Sequence, residues 1–517
     1  MTVLLALFVL TLTTLILGAV YQAVTNDTQG TRLDLDQSRA YAAAQAGIAA
    51  YTYELNQNPN YWRSCPTSGP SSNPWVAVPN STDGGSTEYY SYQPIAASTA
   101  PNNDQVCDPN NPEGTMIEGF QLSTGAVSAQ LGTFRIEASG KSNGIVRTVV
   151  ATFKQPRFLN FVYYTDYEDL DPAVLSPEPT DCAVHYPTPR PGCTTIVFVP
   201  GDVVNGPFHS EDELAICSSG GQGPVFGRPG YNDAIETPGV YAPSGCPNPP
   251  TYTVNNSSGK INTTAQSLLP PSTDSLLASS AQGNGYVYTG RTTIVLNPSG
   301  TTMTVTNTNP ANHGPVGTSV GYPTNGVIYV KTVPNGSPGC PAYTPGTANT
   351  LYSTDTNCGN AYVSGYYTQP LTIGTDNDII INGNITTTTV GGNGTAPTGR
   401  QLLGLVANDF VRVWHPCPAI NGQPGPLTNP YIYAAILAVN HSFIVDNYTC
   451  GAALGNLTVY GAIAQLFRGT VGTVGGSGYL KNYNYDDRLA YSEPPYFLNP
   501  TSTAWYVVRT VECGTGC

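Results

Sequence analysis

From Met1 to Asn26 no side chain carries a charge, and the run LLALFVLTLTTLILGAV inside that stretch gives a helix of ~20 apolar residues, enough to cross a hydrocarbon core of ~30 Å. Past residues 26–30 the pattern turns amphipathic. Leu33, Ala40, Ala44, Gly47, Ile48, Tyr51 and Leu55 recur near 3.6-residue spacing, which predicts that one helix continues into water as far as about residue 58. Its Ala and Gly stripe permits close approach of a neighbour. From there to residue 156 the pattern is that of loops and short strands. It closes on TFRIEAS and IVRTVVATF, two alternating segments joined by a Lys-Ser-Asn-Gly turn that suits antiparallel pairing.

Beyond residue 157 apolar runs are short and punctuated by Gly and Asn, as in TIVFVPGDVVNG, GVIYVKT and NDIIINGNIT. Two pairs are near copies: LVANDFVRV at 405–413 with LAVNHSFIV at 437–445, and NDIIINGNI at 377–385 with GNLTVYGAI at 455–463. Short strands recurring with Asn or Gly at the corner predict stacked parallel coils, with Asn408 beside Asn440. A β-sandwich is the competing architecture. The expected fold is mainly β with a long N-terminal helix: residues 1–58 the helix, 59–156 a small α+β head, and 157–517 a larger head of β-solenoid (parallel β-helix) type. Thr-, Asn- and Pro-rich insertions at 250–360 decorate the larger head.

A secretory signal peptide would open with a basic segment, whereas the first cation here is Arg32. The expectation is that a short leader has been removed and that numbering starts at the mature N-terminus. The apolar run followed by SRAYAAAQAGIAAYTYEL resembles the N-terminal region of PilX-type and GspK-type minor pilins and pseudopilins. Weaker echoes are GTFRIEASGKSNGIVRTVVATFK, RFLNFVYYTDYEDLDP with GDVVNGPFHSEDE, and GYLKNYNYDDRLAYSEPPYF. The resemblance implies cleavage by a prepilin peptidase, residence in the inner membrane before assembly, recruitment by pilus assembly machinery, and packing of Met1, Leu4, Leu5, Val9, Leu12 and Leu17 in the core of a homo-oligomeric extracellular filament. Typical major pilins carry Glu at mature position 5, where this chain has Leu5; a filament-core ion pair is therefore not available to it.

Composition fits an exported protein. Of 517 residues, 19 are Lys or Arg and 33 are Asp or Glu, leaving a net charge of −14, which argues against nucleic acid as a partner. The 12 cysteines are spread singly, the pattern of disulfides rather than of a zinc site. Short loops favour sequential pairs: Cys65 with Cys107, Cys182 with Cys193, Cys217 with Cys246, Cys340 with Cys358, Cys417 with Cys450, and Cys513 with Cys517. His209, Ser210, Glu211 and Asp212, the acids Asp166, Glu168, Asp169 and Asp171, and the pair Asp376 and Asp378 are candidate clusters, read as structural because none has a catalytic or metal-ligand spacing. No catalytic residue, cofactor or metal is expected. Asn-X-Ser/Thr sequons such as Asn384, Asn393 and Asn456 are as frequent as a chain this rich in Asn, Ser and Thr produces by chance. The sequence points to a structural filament subunit with its β-rich head on the surface. The alternatives are a minor, tip-located subunit for priming or adhesion to a surface or glycan, and a membrane-anchored β-solenoid enzyme acting on glycans.

Overall fold

The computed structural model describes the chain except residues 1, 59–60, 65, 80–86, 95–132, 155–156, 176–177, 180, 186–189, 191, 264–266, 269, 299, 308, 310–313, 475, 491, 501–504 and 514–517, and the side chains of residues 2–5, 23–29, 63–64, 133–134 and 276. The protein is mainly β with one long N-terminal helix, and it divides into two compact units.

In the first unit, helix α1 (Thr2–Gln57) runs unbroken through Gly18 and residues 26–30, about 84 Å at 1.5 Å per residue. Ala40, Ala44, Ile48, Tyr51 and Leu55 are buried on one stripe against Ile136, Ala138, Val149, Ala151 and Phe153 of an antiparallel sheet. Leu33, placed on the same stripe by its spacing, is exposed, because it lies beyond the reach of the sheet. The sheet is built from Val76–Ala77, Tyr89–Pro94, Thr133–Ser142, Ile145–Lys154 and Tyr506–Cys513, in that order. Asn143 and Gly144, both at positive φ, make the two-residue turn of the central hairpin.

Residues 157–517 do not form one unit, as the sequence pattern suggests: the last described strand returns to pair with Ile145–Lys154 and belongs to the first unit. The exposed edge of that strand pair leaves a ladder to be completed, and Tyr506–Cys513 completes it. Gly140 is where helix and sheet meet most closely. A Cβ there would overlap the backbone at Ala40 and Ala44. Gly140→Ala is therefore expected to destabilise the first unit by roughly 1–3 kcal/mol, read as a lowered melting transition; an unchanged transition would mean that the helix is not seated there.

In the second unit most described strands pair in parallel, in ladders. One ladder places Ile328, Ile373, Leu405, Ile436, Ile463, Tyr163, Phe208 and Ile235 in register, none more than 2% exposed. A second aligns Ile294, Val363, Ile381, Val413 and Val445, all fully buried. Val411 pairs with Phe443, and Asn440 donates from Nδ2 to Asn408 Oδ1 at 3.2 Å, so the expected corner stack is present. The second pair of similar segments are not neighbours: Ile385 pairs with Gly365 and Ile432, and Ile463 with Ile436 and Tyr163. Within residues 250–360, Thr302–Thr306 and Gly317–Gly321 form an antiparallel extension, while Thr292–Leu296 joins the second ladder.

The stacking order is not the chain order. Tyr163–Leu170, the first strand of the unit, stands beside Ala453–Arg468 near its end, and Val203–Asn205 beside Gly478–Tyr485. The chain enters the stack partway along, runs outward through residues 208–254, crosses to the far end at Tyr286, and winds back to meet its own start.

Candidate functional site

The surface with the clearest functional character is the N-terminal half of α1. Its described apolar side chains run from Ala6 to Tyr21, and all are exposed, with Val9 at 52%, Leu12 at 48% and Leu17 at 67%. The hydroxyls of Thr11, Thr13 and Thr14 donate to carbonyls three and four residues back, so the helix satisfies its own polar groups and presents an apolar surface. Met1, Leu4 and Leu5 lie outside the described side chains. Among the described residues no helix is long and apolar enough to cross a membrane; the side chains described in this region begin at Ala6.

Four of the expected disulfides are formed: Cys182 with Cys193, Cys217 with Cys246, Cys340 with Cys358, and Cys417 with Cys450. Cys513 is disulfide-bonded; Cys517, Cys65 and Cys107 fall outside the described residues.

The charged clusters picked out in the sequence are buried or half-buried, and paired. His209 is enclosed, with Nδ1 2.8 Å from Glu236 and Nε2 3.0 Å from Glu211. Burial works against its charge, but the two carboxylates outweigh it and raise its pKa to about 9. A histidine whose folded pKa lies above its unfolded value stabilises fully below pH ~6.5, and that contribution is lost as pH rises through 9. His209→Gln is therefore expected to cost up to ~3 kcal/mol at pH 6 and much less at pH 9.5, in paired denaturation curves. An equal loss at both pH values would mean that the ring is held neutral. Asp169 and Asp212 grip Arg190, Glu168 meets Arg468 at 3.0 Å, and Asp171 meets His441 at 2.8 Å. Asp376 accepts from the Tyr329 hydroxyl and the Thr332 amide. Among the described residues no group of three or more His, Cys, Asp or Glu is placed to hold a metal ion.

The second ladder also carries a site that sequence reading missed. Alternation along Val411–Val413 turns Arg412 away from the apolar column, which on an open sheet would leave it in water. Instead Arg412 is fully buried beneath the segment that holds Tyr343 and helix α2 (Ala348–Thr354). Its guanidinium lies 4.4 Å from the Tyr343 ring centre and is flanked by Asp378 at 3.1 Å and Asp446 at 3.3 Å. Burial raises the Asp378 carboxyl to about 6, with Arg412 opposing and Asp409 adding to the rise. Asp378, Asp409, Arg412 and His441 share a cavity of about 290 Å³.

No family model matches this chain, and no curated protein does. Among solved structures, the crystal structure of competence-associated pilin ComZ from Thermus thermophilus aligns over 92% of this chain and 97% of its own, at 11% identity and a TM-score of 0.30. A superposition that loose does not define a shared fold.

Proposed function

We propose that this protein is a non-enzymatic structural subunit of an extracellular, type IV pilus-like filament. The observation that carries the reading is the division of α1. Its C-terminal half is seated in the first unit's sheet, while its apolar N-terminal half is exposed and needs a dry environment. The bilayer serves before assembly and the same segment of neighbouring subunits afterwards, with Met1, Leu4, Leu5, Val9, Leu12 and Leu17 in the filament core. Prepilin peptidase and the pilus assembly machinery are the implied partners, as the resemblance to PilX-type and GspK-type proteins suggests. The second unit is read as a β-solenoid, because strands in successive coils pair in parallel around shared apolar columns. It forms the display surface. Leu5 favours a second reading within the class, a minor subunit at the tip, since a subunit lacking the position-5 carboxylate cannot offer an ion pair to the next. Immunogold labelling of surface filaments with antibody against the second unit tests both: label along the shaft is expected for the first reading and label at ends alone for the second. Filaments that carry no label would overturn the proposal.

A further inference from the structure

Tyr329 stands on Val327–Lys331, a strand of the first ladder, one position beyond the apolar column, so alternation turns it to the opposite face. It is nevertheless only 1% exposed, because the helix Ser275–Asn284 packs over that strand. Leu277 of the helix is fully buried and sits so close to Gly374 that a Cβ there would come within 2.5 Å of it. A second tether runs from Asn325 Nδ2 to the Ser280 carbonyl at 2.9 Å.

The start of this helix is held by three oxygens. The Tyr329 hydroxyl lies 2.9 Å from Asp274 Oδ2 and 2.8 Å from Asp376 Oδ1. A hydroxyl has one proton to give and an ionised carboxylate has none, so two ionised carboxylates leave one of these contacts without a hydrogen. Burial holds the Tyr329 hydroxyl well above its ordinary pKa, and it stays a donor. Asp376 is the better acceptor, since its other oxygen already takes the Thr332 amide at 2.7 Å, which suits a charged carboxylate. The remaining contact then requires Asp274 to be the acid, donating from Oδ2 to the Tyr329 oxygen.

Asp274 also occupies the N-cap position, yet its side chain caps nothing. Asp is among the strongest capping residues, and it caps from an extended backbone. Here the backbone is at φ −98° and ψ 18°, and the carboxyl is committed to Tyr329. The side chain therefore has two places to go: protonated on Tyr329, or ionised over the first-turn amides, where the helix dipole favours negative charge.

We propose that Asp274 is a pH-sensitive latch: protonated, it pins the start of the helix Ser275–Asn284 to Tyr329, and ionised, it lets go of Tyr329 and caps the helix instead. Burial raises the Asp274 carboxyl to about 6, with the Tyr329 hydrogen bond opposing and Asp376 and Asp409 adding to the rise. The helix brings no titratable side chain of its own, nor does Leu371–Thr375, and Tyr286–Thr289 brings only tyrosines. Lys331, two positions beyond Tyr329, forms an ion pair with neither carboxylate. With its folded pKa above the unfolded value, Asp274 sets the latch fully below pH ~4, and the hold is lost as pH rises through about 6. A helix of 10 residues without its anchor is marginal in water.

The test is hydrogen exchange read by mass spectrometry on the full chain in detergent, at pH 5 and pH 8, for wild type and Asp274→Asn. Asn keeps a donor toward Tyr329 at every pH. Because intrinsic exchange chemistry changes equally for both proteins, only their ratio is compared. In peptides covering residues 273–285 the two should match at pH 5, and at pH 8 wild type should exchange about tenfold faster. Residues 403–407, further along the same ladder, should match at both pH values. Tyr329→Phe removes the shared oxygen, so its helix should exchange faster than wild type at pH 5 and lose the pH dependence. A wild-type to Asn ratio that is the same at both pH values would overturn the latch. So would an Asn variant that is looser than wild type at pH 8, or a Tyr329→Phe helix that still loosens between the two. Should Tyr329→Phe fail to fold, the comparison of wild type with Asp274→Asn decides alone.

Discussion

Replacing Val9 by Asp is expected to abolish the proposed filament assembly while leaving the head folded and oxidised. Val9 is half exposed in the isolated chain, within a described apolar surface that extends to Tyr21 and that holds no charged side chain. In a filament core each copy would bring a carboxylate into a helix bundle that holds no basic side chain, since the first along the chain is Arg32. Removing a charge from water costs several kcal/mol per subunit even after relaxation, and the cost recurs at every subunit. The same substitution at the centre of a membrane span costs only ~2.5–3.5 kcal/mol on insertion scales. Loss of filaments with the protein still membrane-bound is thus the specific outcome, and Val9→Leu should assemble normally. Shearing surface filaments and comparing them with membrane fractions on non-reducing gels reads both states. Wild-type amounts of filament from the Asp variant would sink the proposed role of α1.

The sequence made the local units legible and left their order hidden. Asn408 and Asn440 stand between strands of the same alternation, so two copies 32 residues apart marked segments that pair in parallel, and their contact follows. Sequential cysteines were legible because a short loop closes at little entropic cost. The place where the chain meets itself was not. Tyr163 and Ile463 are neighbours in one ladder, but each is only another buried position in another short strand, and periodicity says nothing about which strand stands beside which. Tyr506–Cys513 was hidden for a different reason: it is mostly exposed at a sheet edge, so it lacks an apolar signature linking it to the first unit. Arg412 illustrates the limit for sites. A charged residue between two valines reads as a solvated face, and only the segment around Tyr343 and Tyr352, more than 50 residues upstream and folded over it, makes it buried.

Glu168→Gln is expected to destabilise the second unit by ~3–5 kcal/mol, the range for breaking a buried ion pair by removing one partner. Glu168 and Arg468 sit on strands that neighbour one another although 300 residues separate them. Closing a loop of that length costs on the order of 5 kcal/mol, so this junction needs more favourable contacts than a pairing between strands close in sequence. The structure supplies charges there. Arg468 donates to Glu168 and to the carbonyls of Ile196 and Val197, with its guanidinium 3.6 Å from the Phe198 ring centre. Lys481 reaches Asp202 at 2.9 Å, and Asp171 reaches His441. With Gln at 168 the arginine stays buried without its counter-charge, and the loss falls on the junction first. Hydrogen exchange should therefore rise in residues 163–170, 203–210 and 453–485 before it rises in 371–413, whose ladder neighbours are close in sequence. Pairing Glu168→Leu with Arg468→Met should cost less than either single change, because no charge is then stranded. Uniform exchange across the whole unit, or a double variant as unstable as the sum of its parts, would show that the ion pair does not hold the two ends of the chain together.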